Sequence, residues 1–131
     1  MVILGILIAI AIPLYLNYTK SAKDKAASTD LRNAITAIEA CNTDNSVYPT
    51  SITSAGAITS TPTCTQVINL TAGTTFTYAA VAAAGTTAAG FIAVTYNAAG
   101  AGKSWCYGSG ASGAIKQEAA SYSPPATGIC A

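Results

Sequence analysis

The four cysteines, Cys41, Cys64, Cys106 and Cys130, are the side chains of this sequence best equipped for chemistry, and their spacing decides which chemistry is open to them. No two of them form a CxxC pair and the chain has no histidine, so tetrahedral zinc and c-type haem attachment both lack their ligands. An even count at wide spacing, behind an apolar N-terminal segment, reads instead as two disulfides formed in an oxidising compartment. Three pairings are open. Cys41 with Cys64 and Cys106 with Cys130 are favoured, because each closes a loop of about two dozen residues, worth roughly 3 kcal/mol in the chain-entropy account.

Catalysis needs a base, a nucleophile or a metal, and without histidine the ordinary serine and cysteine triads cannot be assembled. The carboxylates Asp24, Asp30, Glu39 and Asp44 fall on one helical stretch or its end and only Glu118 lies elsewhere, so no acid/base pair is expected. They read as solvated charges or as partners of another subunit. Gly100 and Gly102 in GAGKS miss the spacing of a phosphate-binding loop. No enzyme and no cofactor are expected. Lys103, Trp105, Tyr107 and Lys116 could form a small basic and aromatic patch that stacks on single-stranded nucleic acid. Two lysines support at most weak DNA binding, and a structural role is the expected one. Asn17 and Asn69 each begin an N-x-Thr triplet, and the many Ser and Thr residues could carry O-glycans.

These residues must be positioned by two kinds of element. The stretch MVILGILIAIAIPLYL, Met1 to Leu16, is too apolar for water, and the first charge is Lys20. At 1.5 Å per helical residue the uncharged run reaches roughly 28 Å, close to the roughly 30 Å of bilayer hydrocarbon. Pro13 removes one backbone donor and crowds the preceding turn, so a weak point is expected there. From Lys20 the pattern becomes amphipathic: Ala27, Leu31, Ala34, Ile35, Ile38 and Cys41 recur at spacings of three and four. One helix from Met1 to about Cys41 follows, ended by the turn-forming Asn42 to Ser46 and by Pro49.

Residues 42–65 read as a surface loop. Strands are expected at Gln66–Leu70, Thr75–Val81, Gly90–Tyr96 and Ser104–Tyr107, with a short one at Ala114–Gln117. Short strands joined by tight turns favour an antiparallel meander with one face on the helix. Trp105 is expected beside the second disulfide. The whole is α+β, a long N-terminal helix packed against about four antiparallel strands. Only 8% of residues are charged, against about 25% in ordinary soluble domains. Such a surface favours association over separation, and a net charge of +1 steers the chain to no particular partner.

The run GILIAIAIP from Gly5 to Pro13, with Ala9 and Ala11 alternating with Ile10 and Ile12 and followed by Tyr15, resembles the N-terminal helix of the type IV pilins, and the likeness extends weakly through Ala26 to Ala40. The resemblance implies the pilin fold, with residues 1–19 as a hydrophobic stem and 20–131 as a globular domain: a helix half 20–41, a loop 42–65 and the sheet with its disulfide-bounded C-terminal loop 66–131. The Cys106–Cys130 pair would correspond to that loop. The resemblance also implies polymerisation into a helical filament whose core is built by Val2, Ile3, Leu4, Ile6, Leu7, Ile8, Ile10, Ile12 and Leu14. Gly5, with its low helix propensity, and Pro13 would bound a melted stretch. Implied partners are copies of the chain, the inner membrane before assembly and the pilus assembly machinery, with the finished filament on the bacterial surface. Adhesion, twitching motility, biofilm formation and DNA uptake are the family's uses, and no residue selects among them. Family members begin some nine residues earlier, with a Phe and then a Glu that this chain lacks, so Met1 reads as internal to a longer mature chain or as a clipped or misassigned start, in preference to a true initiator. The alternatives are a pseudopilin or minor pilin of a secretion system, or a singly anchored extracellular binding module.

Overall fold

The computed structural model describes residues 2–53, 55–84, 88–110, 113–119 and 130. Its long helix α1 (Val2–Asn45, 44 residues) runs through Gly5 and Pro13 without interruption. The helix ends four residues later than expected, because its last turn supplies its own cap. Ser46 adopts a positive φ of 59° and donates its N–H to the Asn42 carbonyl at 2.6 Å, while the Asn45 amide donates to the Cys41 carbonyl at 3.0 Å. These bonds satisfy carbonyls that a helix end otherwise leaves open.

Two short strands, β1 (Gly56–Ala57) and β2 (Val67–Ile68), pair antiparallel with each other. The main sheet is an antiparallel meander in the order β3 (Thr74–Val81), β4 (Gly90–Asn97), β5 (Lys103–Gly108), β6 (Lys116–Ala119). The α+β class with a four-stranded antiparallel sheet therefore stands, but its membership differs from the expected one. The stretch expected as the first strand, 66–70, shrinks to Val67–Ile68 and leaves the sheet, and β6 closes the far edge two residues beyond its expected place. The physical reason is Asp30. Its carboxylate accepts the Thr71 N–H at 2.8 Å and the Thr71 hydroxyl at 3.1 Å, which fixes that end of the segment on the helix. Nor is 42–65 merely a surface loop: Ile58 and Cys64 are buried in the main core.

That core lies between α1 and one face of the sheet, where Leu31, Ala34, Ile38 and Cys41 meet Phe76, Phe91 and Ala93. Phe91 is its centre, with Tyr48, Tyr78 and Tyr107 at ring distances of 5.2, 5.8 and 5.5 Å. The other face is buried as well. Ile92, Val94, Cys106 and Cys130 form a second cluster, which explains why β4 is apolar on both sides. Disulfides join Cys41 to Cys64 and Cys106 to Cys130, with Cα separations of 5.6 and 5.9 Å. The first ties the loop to the end of α1, and the second holds residue 130 on the outer face. Residues 120–129, with Pro124 and Pro125, lie outside the described residues.

The tyrosines of this core carry a pH dependence. Burial, then the Glu39 charge and its hydrogen bond with the phenol, push Tyr48 up to about 12. Burial is also the first cause raising Tyr78, whose hydroxyl donates to the Pro49 carbonyl at 2.6 Å, and Tyr107. The folded state therefore prefers neutral phenols. Their contribution is fully present below the unfolded value of about 10 and is lost as pH rises through the folded values. Denaturation midpoints of the full chain in mild detergent are expected to be level up to about pH 10 and to fall above it, less steeply in Tyr48→Phe. A midpoint constant well above pH 10 would contradict this packing.

Candidate functional site

Residues 3–18 of α1 are all exposed. Ile3 is 76% exposed, Ile8 55%, Leu14 70% and Tyr18 75%, so apolar side chains point outward in every direction around the helix. A helix that is apolar all round belongs in a lipid phase or in the core of something larger. The stem residues Ile3, Leu4, Ile6, Leu7, Ile8, Ile10, Ile12 and Leu14 are thus presented together as one continuous surface, and the side chain of Val2 lies outside the described residues. Gly5 has no packing role within the subunit, since a Cβ added there would meet nothing within 4 Å. A membrane anchor is one use of such a helix by length and composition.

Below Lys20 the helix changes character because it begins to touch the head. The contact opens with a set of polar clamps that the sequence reading misses. Asp24 is only 2% exposed and Asp30 only 5%, so neither is the solvated charge expected of it. Both oxygens of the Asp24 carboxylate accept the Ala101 N–H at 3.1 Å. The Asp24 main-chain carbonyl accepts the Trp105 indole N–H at 2.8 Å, and one turn on the Ala27 carbonyl accepts the buried Thr95 hydroxyl at 2.8 Å. Gly100 is needed at this turn, because a Cβ there would collide with the Asp24 carboxylate. The signal was present: Asp24 stands three residues before Ala27, so the core stripe continues one turn further toward the stem than its apolar members.

Asp24→Ala is expected to cost about 2 kcal/mol, since it removes the charged acceptor of the part-buried Ala101 N–H bond. Asp24→Asn, which keeps one acceptor oxygen, should cost less. Denaturant midpoints of the two variants in detergent check the order; equal losses would mean that the carboxylate does not hold the turn.

The proposed aromatic and basic patch is not assembled. Lys103, Trp105 and Tyr107 alternate onto the helix side of β5, whereas Lys116 pairs with Cys106 on the opposite face and donates to the Cys130 carbonyl at 3.4 Å. Trp105 also turns away from the Cys106–Cys130 disulfide beside which it was expected, because neighbouring strand residues face opposite sides. Its indole is held on α1 and Tyr107 packs on Phe91, so neither ring is a free stacking platform. No family model, no curated protein and no solved structure matches this chain.

Proposed function

We propose that the chain is a structural subunit that polymerises through its N-terminal helix into a helical filament of the type IV pilus kind. The observation that carries this reading is the stem: residues 3–18 are uncharged and wholly exposed, and they project from a head that has its own core and two disulfides. Lipid would cover the stem before assembly, and the equivalent stems of neighbouring subunits would cover it afterwards. Hydrophobic burial favours both states, so the transfer between them exchanges one apolar surrounding for another. The contact is heterologous and does not close, which gives a helical polymer with stems inside and heads outside. The assembly machinery and inner membrane belong to this proposal, as does the surface location.

Negative-stain microscopy of sheared cell-surface material tests it. Long fibres composed mostly of this chain are expected. Sparse incorporation would favour a minor pilin or pseudopilin, and complete absence a singly anchored binding module.

Helix continuity in the polymer is a separate expectation. The lone subunit keeps α1 intact, but an exposed helix interior is weakened by roughly 1 kcal/mol at Gly5 and roughly 3 kcal/mol at Pro13 relative to Ala. In fibres the stretch between them should open, and in the Gly5→Ala, Pro13→Ala double variant it should stay helical. A high-resolution fibre reconstruction with an unbroken natural helix would remove the idea.

A further inference from the structure

The net charge of +1 conceals an uneven distribution along α1. Lys20, Lys23 and Lys25 follow the apolar stem directly and are exposed, and Lys103, also exposed, opens β5 next to the turn that Asp24 binds. Among the described residues no carboxylate pairs with any of these four lysines. Asp24 is buried and committed to Ala101, and Glu118, opposite Ser104, lies on the other face of the sheet from Lys103. Lys25 and Lys103 line one groove of about 260 Å³ with Ser21, Asp24, Trp105 and Gln117, and the Asp24 carboxylate there is bonded to the Ala101 N–H. Glu39 and Asp44 sit near the far end of α1, bonded to Tyr48 and Gln66. The end of the head that meets the stem is therefore positive.

We infer that this collar of lysines binds anionic phospholipid headgroups and holds the head down on the leaflet from which the stem emerges. The inference rests on the reading of the stem as a membrane segment before assembly. At 1.5 Å per residue Lys20 lies about 6 Å beyond Leu16, Lys23 about 10 Å and Lys25 about 13 Å. The headgroup layer on one side of a bilayer is roughly 5 to 7 Å deep, and the field of an anionic leaflet persists for about another 8 Å at physiological ionic strength. All three lie within that reach, and Lys103 stands level with Asp24. Glu39 and Asp44, about 35 and 42 Å beyond Leu16, lie outside it. A lysine excess beside an apolar helix commonly marks a cytoplasmic flank, whereas disulfides mark an oxidising compartment. Cations on the disulfide side thus have an effect of their own at that leaflet. The flexible ammonium groups suit point-charge contact with phosphate.

Full-length chain in mild detergent, diluted into a mixture of phosphatidylcholine vesicles and sucrose-loaded vesicles of equal parts phosphatidylcholine and phosphatidylglycerol, tests the inference after the two populations are separated by centrifugation. The stem contribution cancels because both interiors are hydrocarbon. Each lysine near an anionic surface is worth roughly fivefold, so the anionic vesicles should take at least roughly tenfold more chain at low salt. Combined Lys20→Gln, Lys23→Gln, Lys25→Gln and Lys103→Gln changes should bring the ratio near unity, as should high salt, while the four Lys→Arg changes should preserve it. An even distribution of the natural chain overturns the inference, and so does an undiminished preference in the Gln variant. Loss of the preference to inorganic phosphate at fixed ionic strength would assign the groove to a free anion. Fibres that fall apart in a Gln variant whose lipid preference persists would assign the lysines to contacts between copies. A chain that enters neither vesicle population defeats the membrane-stem reading itself, a result distinct from an even distribution.

Discussion

Ile8→Lys is expected to eliminate surface fibres and to lower membrane partitioning of the chain more than a hundredfold, while the head unfolds at an unchanged denaturant concentration. Ile8 lies mid-way along the uncharged run and is 55% exposed, so it contributes nothing to the head's core. At the centre of a membrane helix, replacing Ile by Lys costs about 3 kcal/mol or more, and each 1.4 kcal/mol is about tenfold. In a filament core the loss should be larger still, because an unpaired ammonium among apolar stems has neither water nor a partner. Ile8→Leu changes shape without charge and should leave both properties nearly intact. Flotation with vesicles, microscopy of sheared material and a denaturant titration separate the three effects. Fibres as abundant in Ile8→Lys as in the natural chain would mean that the stem is not the buried element of any polymer.

Phe91→Ala should destabilise the head by about 3 to 5 kcal/mol, a large share of the roughly 5 to 15 kcal/mol available to a whole domain. Phe91 is fully buried and its ring meets those of Tyr48, Tyr78 and Tyr107. Removing it leaves a cavity bounded by three elements: the segment after α1, β3 and β5. These rings are anchored by their own hydroxyl contacts at Tyr48 and Tyr78, so they cannot easily collapse into the space. Phe91→Leu keeps most of the volume and should cost markedly less. The denaturant midpoint of the full chain in detergent reads both. A Phe91→Ala loss no larger than that of a surface substitution would show that the aromatic cluster does not carry the core. Because the two predictions touch different halves of α1, Ile8→Lys should spare stability, whereas Phe91→Ala should spare the chain's affinity for lipid.

The separation of those effects was legible in the sequence for a simple reason: periodicity and charge act locally along one helix. The uncharged run to Leu16, the three-and-four spacing from Ala27 to Cys41 and the alternation of apolar residues in 90–96 each state which surface needs covering. The structure covers the last two and leaves the first bare. Strand membership was less legible. Val67 and Ile68 read like β4 in miniature, and only the Asp30 contact with Thr71, across 41 positions of sequence, shows why they leave the main sheet. The same holds for Asp24. A carboxylate looks solvated until a turn 77 residues away brings an N–H to it.

Composition, charge and hydrophobic spacing by themselves determined the α+β class, the apolar stem, the helix that continues it and the absence of the residues ordinary triads require. Tertiary structure alone decided that Asp24 and Asp30 are buried clamps, that Trp105 faces the helix and that four lysines gather at one end of the head. Sequence patterns record how each residue relates to water, which short-range spacing can express. Hydrogen bonds between distant turns, and the sum of charges drawn from separate elements, exist only once the chain has closed on itself.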